Sequence, residues 1–131
     1  MSGQARTKIL IADDESTIRD FLRDALSEQG YELCFARDGQ EALEMAAAQQ
    51  PDLILLDIVL PKVFGWDVCE RLRKNPATAS IKVIMLSALA QDSHRRKAFS
   101  AGADSHLTKP VPLHELYGTI AALVVPRTGT A

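Results

Sequence analysis

Short apolar runs and helix-spaced apolar residues alternate along this chain. Residues 9–12, 33–36, 53–56 and 83–86 are runs rich in Val, Ile and Leu, and a weaker fifth spans 105–108. Continuous runs of this length predict strands buried on both faces, as in a parallel sheet. Between them the spacing becomes helical. Ile18, Phe21, Leu22, Ala25 and Leu26 fall at i, i+3, i+4, i+7 and i+8 and predict one buried helix face. Gly30 is its expected stop. Ala42, Leu43, Met45 and Ala46 predict a second helix closed by Pro51. Val68, Cys69 and Leu72 predict a third that ends before Pro76, and Leu113, Leu116, Tyr117, Ile120, Leu123 and Val124 mark the last. A fourth helix, about residues 92–101, offers a core chiefly Ala98 and Phe99, so it is expected to be held least firmly.

Strand and helix thus recur five times, which predicts an α/β fold: a parallel sheet with helices on both faces and right-handed crossovers. At 131 residues the chain is one domain's worth of sequence. The expected organisation is a frayed N-terminus at 1–7, a domain at 8–125 and a short polar tail at 126–131. Composition changes this picture little. A charge of −2 excludes a bulk basic protein that coats nucleic acid. The longest apolar run, residues 120–125, is too short to span a bilayer, and residues 1–8 contain no apolar signal segment. Cys34 and Cys69, far apart in apolar stretches, are expected to be buried reduced thiols, as suits a cytoplasmic protein.

The chemistry lies just beyond each apolar run. Asp13 and Asp14 come after the first, Asp57 after the third, Ser87 after the fourth, and Lys109-Pro110 after the fifth. In open parallel sheets ligands bind outside the carboxyl ends of the strands. If the first, third, fourth and fifth strands are neighbours, three carboxylates, a hydroxyl and a lysine meet at one edge. Crowded carboxylates repel. Lys109 cancels part of the excess, and a hard divalent cation would cancel the rest. Mg²⁺ suits such a site, because it takes a few carboxylates, keeps waters and accepts a phosphoryl oxygen. A carboxylate nucleophile, a metal, a hydroxyl and a lysine are the parts needed to accept a phosphoryl group.

These separated positions, together with the loop Asp57-Ile58-Val59-Leu60-Pro61 and Gly65, closely resemble the receiver domain of two-component response regulators over residues 8–124. The resemblance implies a flavodoxin-like, doubly wound (βα)5 fold with a five-stranded parallel sheet in the order 2-1-3-4-5. It implies that Asp57 is the phosphoacceptor. Mg²⁺ is expected on Asp14, Asp57 and the Val59 carbonyl, with Asp13 acting mainly through water. Ser87 and Lys109 are expected to hold the phosphoryl group, with a cis bond between Lys109 and Pro110. The implied donor is a sensor histidine kinase or a histidine phosphotransfer protein. The implied readout is a downstream protein or attached output domain that senses the face made by the fourth helix, fifth strand and last helix. No direct contact with nucleic acid or membrane is expected. Self-catalysed phosphorylation and slow dephosphorylation would make it a signalling module rather than a metabolic enzyme.

Where the chain departs from the family pattern, further expectations arise. His106 stands where the family usually has Tyr or Phe on the fifth strand, so Ser87 and His106 form the expected switch pair, with weaker or pH-dependent coupling. Val59 and Leu89 flank the expected path of the hydrolytic water. Being apolar, they cannot orient it, which predicts a long-lived aspartyl phosphate. Gly65 and Gly102 read as positive-φ punctuation, Trp66 as loop packing, and 95–97 as a solvated basic helix face. Other functions fit less well. A Mg²⁺-dependent phosphohydrolase with an aspartate nucleophile lacks its D-x-D pair, since Val59 holds the second position. A flavin- or nucleotide-binding protein would need a phosphate loop where the acidic residues stand. A pseudo-receiver used only for binding would have little need for Asp14, Asp57 and Lys109 together.

Overall fold

The computed structural model describes residues 6–88 and 92–124. The expectations for Leu89, for Val125, for residues 1–5 and for the tail at 126–131 lie outside these residues. The chain runs β1 (Lys8–Ala12), α1 (Ser16–Glu28), β2 (Glu32–Ala36), α2 (Gly39–Gln49), β3 (Leu53–Asp57), α3 (Gly65–Lys74), β4 (Lys82–Ser87), α4 (Asp92–Ser100), β5 (Ser105–Thr108) and α5 (Leu113–Leu123). The strands form one sheet in the order β2-β1-β3-β4-β5, and every pairing is parallel. The expected α/β fold and strand order are both present.

Successive residues of a strand point to opposite faces, so each apolar run feeds two cores. Leu10, Ala12, Ile54, Leu56, Val83 and Met85 pack with Ala42, Ala46, Val68, Cys69, Leu72 and Ala98, which cover one face from α2, α3 and α4. Ile9, Ile11, Leu53, Leu55, Ile84, Leu86 and Leu107 pack on the other face with Leu22 and Leu26 of α1 and Leu116 and Ile120 of α5. Burial on both faces holds for β1, β3 and β4. It fails at the sheet edges, where Leu33, Cys34 and Phe35 of β2 are only half-buried. An edge strand has a neighbour on one side only.

Two aromatic residues expected in the core lie outside it. Phe21 and Phe99 are 52% and 43% exposed. Phe21 lies at the margin of the α1 stripe, beside a groove between α1 and α5. In α4, Ala98 is the only buried residue, so this helix offers its core even less than its sequence promised. Helix ends obey the expected chemistry: Gly30 takes φ +86° after α1, and Asn75 is extended before Pro76.

One side chain ties the amino edge of the sheet together. Arg73 of α3 donates from Nε to the Gly102 carbonyl at 3.0 Å, from Nη1 to the carbonyls of Ala79 at 3.0 Å and Ile81 at 2.5 Å, and from Nη2 to Asp104 at 2.9 Å. The same Asp104 oxygen accepts from the Val83 amide at 2.8 Å. This planar fork joins α3 to the starts of β4 and β5 at the edge opposite the carboxyl ends.

Candidate functional site

Because β1, β3, β4 and β5 are parallel neighbours, their carboxyl ends share one edge. Asp13 and Asp14 come after β1, Asp57 ends β3, Ser87 ends β4, and Lys109 comes after β5. Asp13 is 1% and Asp57 8% exposed, while Asp14 faces solvent. Oxygen atoms from these three carboxylates lie within 4.8 Å of one another. Lys109 Nζ joins two of them, reaching Asp13 Oδ2 at 2.9 Å and Asp57 Oδ2 at 3.2 Å. Its own backbone amide donates to the Ser87 carbonyl at 2.8 Å, which locks the lysine to the end of β4. The Lys109–Pro110 bond is cis.

Each buried carboxylate also has a backbone donor. Asp57 Oδ1 accepts from the Val59 amide at 3.1 Å, and Asp13 Oδ1 accepts from the Glu15 amide at 2.9 Å. Asp13 therefore shapes the turn into α1 while its second oxygen meets the lysine. Burial holds the Asp57 carboxyl above the usual carboxylate range, with the nearby Asp13 charge adding to it. Lys109 and the Val59 amide oppose this and do not cancel it. For Lys109 burial alone would favour the neutral amine, but the hydrogen bond to Asp13 and the charges of Asp57 and Asp13 outweigh it, so the ammonium form is favoured.

Ser87 is buried, and its neighbour Leu86 is the β4 partner of Asp57, so its place beside the acceptor strand is set by register. Gly65 serves a purpose other than the positive φ expected of it. A Cβ there would sit 2.6 Å from the Asp57 carbonyl oxygen and 2.8 Å from Ile58 Cα. It lets α3 start against the end of β3. Gly102, at φ +106°, fits the expectation. Asp14, Glu15, Asp57, Val59, Ala88 and Lys109 line an open cleft of about 520 Å³. Glu15 is a lining residue that the strand-end pattern does not single out, although the acidic run Asp13-Asp14-Glu15 contains the signal. His106 is not among these lining residues. It is buried on β5.

A parallel sheet ordered 2-1-3-4-5, with a carboxylate cluster and a lysine at its carboxyl edge, defines a flavodoxin-like protein with an acidic pocket. The family model for the response regulator receiver domain matches residues 9–121. The chain belongs to that family. It is 44% identical over 117 residues to the DNA-binding dual master transcriptional regulator RpaA of Synechocystis sp., covering 89% of this chain and 48% of that protein. It thus spans about half the length of the curated relatives it matches. A putative response regulator from Chloroflexus aurantiacus superposes with a TM-score of 0.87 at 33% identity, covering 91% of this chain and 98% of that one. Chemotaxis protein CheY4 of Vibrio cholerae gives 0.86 at 28% identity, covering 92% and 100%. Receiver domains are phosphorylation-controlled switches of two-component signalling that histidine kinases phosphorylate, and they bind Mg²⁺ at an acidic pocket. The Asp cluster here is a pocket of that kind. No helix among the described residues is long and apolar enough to cross a membrane.

Proposed function

We propose that Asp57 accepts a phosphoryl group from the phosphohistidine of a sensor kinase or phosphotransfer protein. The observation that carries this reading is the bridge of Lys109 between Asp13 and Asp57 within a tight carboxylate cluster. A carboxylate oxygen of Asp57 attacks phosphorus in line; the new O–P bond forms as the P–N bond to imidazole breaks. Lys109 follows the charge from the carboxylate to the phosphoryl oxygens, and the Ser87 hydroxyl donates to one of them. The Val59 amide steadies the Asp57 carboxylate for attack.

The donor set suits Mg²⁺, being three carboxylates whose oxygens approach within 4.8 Å with no sulfur or imidazole among them. Asp14, Asp57 and the Val59 carbonyl would hold it directly and Asp13 mainly through water. Once bound, it supplies positive charge to the phosphoryl oxygens in transfer.

The receiver unit is taken as residues 8–125. It would work in the cytoplasm beside its kinase without contacting nucleic acid itself, and its α4-β5-α5 face would be read by a downstream protein or an attached output domain. Phosphorylation adds about −1.5 to −2 charge. That pulls Ser87 and Lys109 toward Asp57 and shifts α4, with His106 as the partner of Ser87 in the switch. The test is mass spectrometry after acetyl phosphate with Mg²⁺. One added phosphoryl group that is absent in Asp57→Ala is expected. No modification, or modification that survives in the variant, would overturn the assignment.

A further inference from the structure

His106 is a buried titratable side chain that does not line the phosphoryl cleft. On β5 its neighbour Leu107 joins the core under α1 and α5, so His106 points to the opposite face, where α4 lies. It is 8% exposed, and its Nε2 is buried with no hydrogen-bond partner among the described residues. Across the sheet its register partner is Met85, which is apolar. The charge-bearing groups that act on it come from α4: Arg95 and His94. Among the described residues, none of the groups that act on it is acidic. Asp104 is taken up by Arg73 and the Val83 amide, and Asp92 stands exposed at the start of α4.

The helix above His106 has an unusual hold. Beyond Ala98, α4 is fastened by a clasp to α3. The His94 ring stacks on Trp66 at 5.7 Å between centroids and 12° between planes, and Lys97 Nζ sits 4.2 Å above the same indole. Trp66 Nε1 and His94 Nδ1 are also buried without partners among the described residues. The hold on α4 thus consists of Ala98 and a few ring contacts to α3, with the His106 imidazole on the sheet face beneath the helix. A proton on His106 would place an unpaired cation under the helix, near the Arg95 guanidinium.

We propose that His106, with His94 and Arg95 above it, is a proton-operated catch: α4 rests on β5 while His106 is neutral and is released when His106 takes up a proton. Burial first, then Arg95 and His94, hold the His106 pKa below the ordinary histidine value. By linkage the seated state, which has the lower pKa, is favoured above the ordinary histidine range and weakens as pH falls through that range toward the depressed value. The catch needs neither phosphoryl group nor metal, so it can fail while the reading of Asp57 stands, and the reverse.

The test is amide hydrogen exchange of the full chain, without phosphoryl donor or Mg²⁺, from pH 7.5 to 5. Protection of α4 is taken relative to α2, which removes the intrinsic pH dependence of exchange. The ratio is expected to fall by up to about tenfold per pH unit below about 6.5. In His106→Phe, which keeps an apolar ring there, the ratio should be flat. A flat ratio in the unaltered protein, or an undiminished slope in the variant, overturns the catch. NMR titration of the His106 ring in the unaltered protein gives a second reading that needs no variant: an ordinary or raised pKa with α4 unmoved would also overturn it.

Discussion

Lys109→Met isolates the charge balance on which the site rests. In the unaltered protein one ammonium reaches two buried carboxylates, at 2.9 and 3.2 Å, and the side chains of Lys109, Asp13 and Asp57 are 19%, 2% and 11% exposed. Methionine keeps much of the volume and removes the charge. Each carboxylate then keeps its backbone amide donor, from Glu15 or Val59, and faces its like-charged neighbour. At 4.8 Å and an effective dielectric near 20, that repulsion is about 3.5 kcal/mol. Relief of the buried ammonium's own desolvation and entry of water through the open cleft offset part of this. The net loss expected at pH 7.5 without divalent cations is about 2–3 kcal/mol, or roughly 10 °C in Tm. Asp57 is raised above the usual carboxylate range, so its ionised form opposes folding. The stabilising effect of protonating it is present at low pH and is lost as pH rises through its folded pKa. The deficit of the variant should therefore shrink toward pH 5. It should also shrink with Mg²⁺, since a bound dication replaces the missing charge. Urea unfolding at both pH values, with EDTA and with Mg²⁺, measures all of this. A deficit under about 0.5 kcal/mol in EDTA, or one that Mg²⁺ leaves unchanged, would refute the charge-cluster account.

Four further outcomes are expected. Arg73→Ala strips the fork from three carbonyls and Asp104 and should cost about 2–3 kcal/mol in urea unfolding, while Asp57 phosphorylation in the folded protein stays intact because the fork lies at the opposite edge. Gly65→Ala drives a Cβ into the backbone of Asp57 and Ile58 and should cost about 1–3 kcal/mol with slower modification by acetyl phosphate; an unperturbed variant would contradict the close approach. Val59→Asn puts a polar group beside the acceptor, where Val59 is 54% exposed on the cleft, and should hasten phosphoryl loss measured by the decay of the phosphorylated species. The Cys69 thiol is buried and pushed up to about 11, chiefly by burial, so at pH 8 roughly one in a thousand is thiolate. A thiol reagent should therefore label the half-buried Cys34 first, as peptide mapping would show.

By itself the sequence determined the elements and most of the site. Apolar runs of four to six residues broken by helical spacing announce βα repeats, because side-chain periodicity is local. Asp13, Asp14, Asp57, Ser87 and Lys109 were legible because each stands where a strand ends, and parallel strands bring those ends to one edge. Tertiary structure decided what depends on which element lies against which. The α1 pattern placed Phe21 on the buried stripe, yet a stripe cannot tell whether a partner reaches its margin. Cys34 reads as a core residue until β2 proves to be an edge strand. Gly65 looked like a φ requirement and is a clearance requirement, set by a strand end eight residues earlier. The Arg73 fork joins partners far apart in the chain, and no local pattern foretells them. His106 was marked by standing where the family usually has Tyr or Phe and by its ability to titrate near neutrality. That it lies buried under a helix bearing His94 and Arg95 comes from the packing of α4 across β5, since burial and opposing charge are properties of neighbours in space.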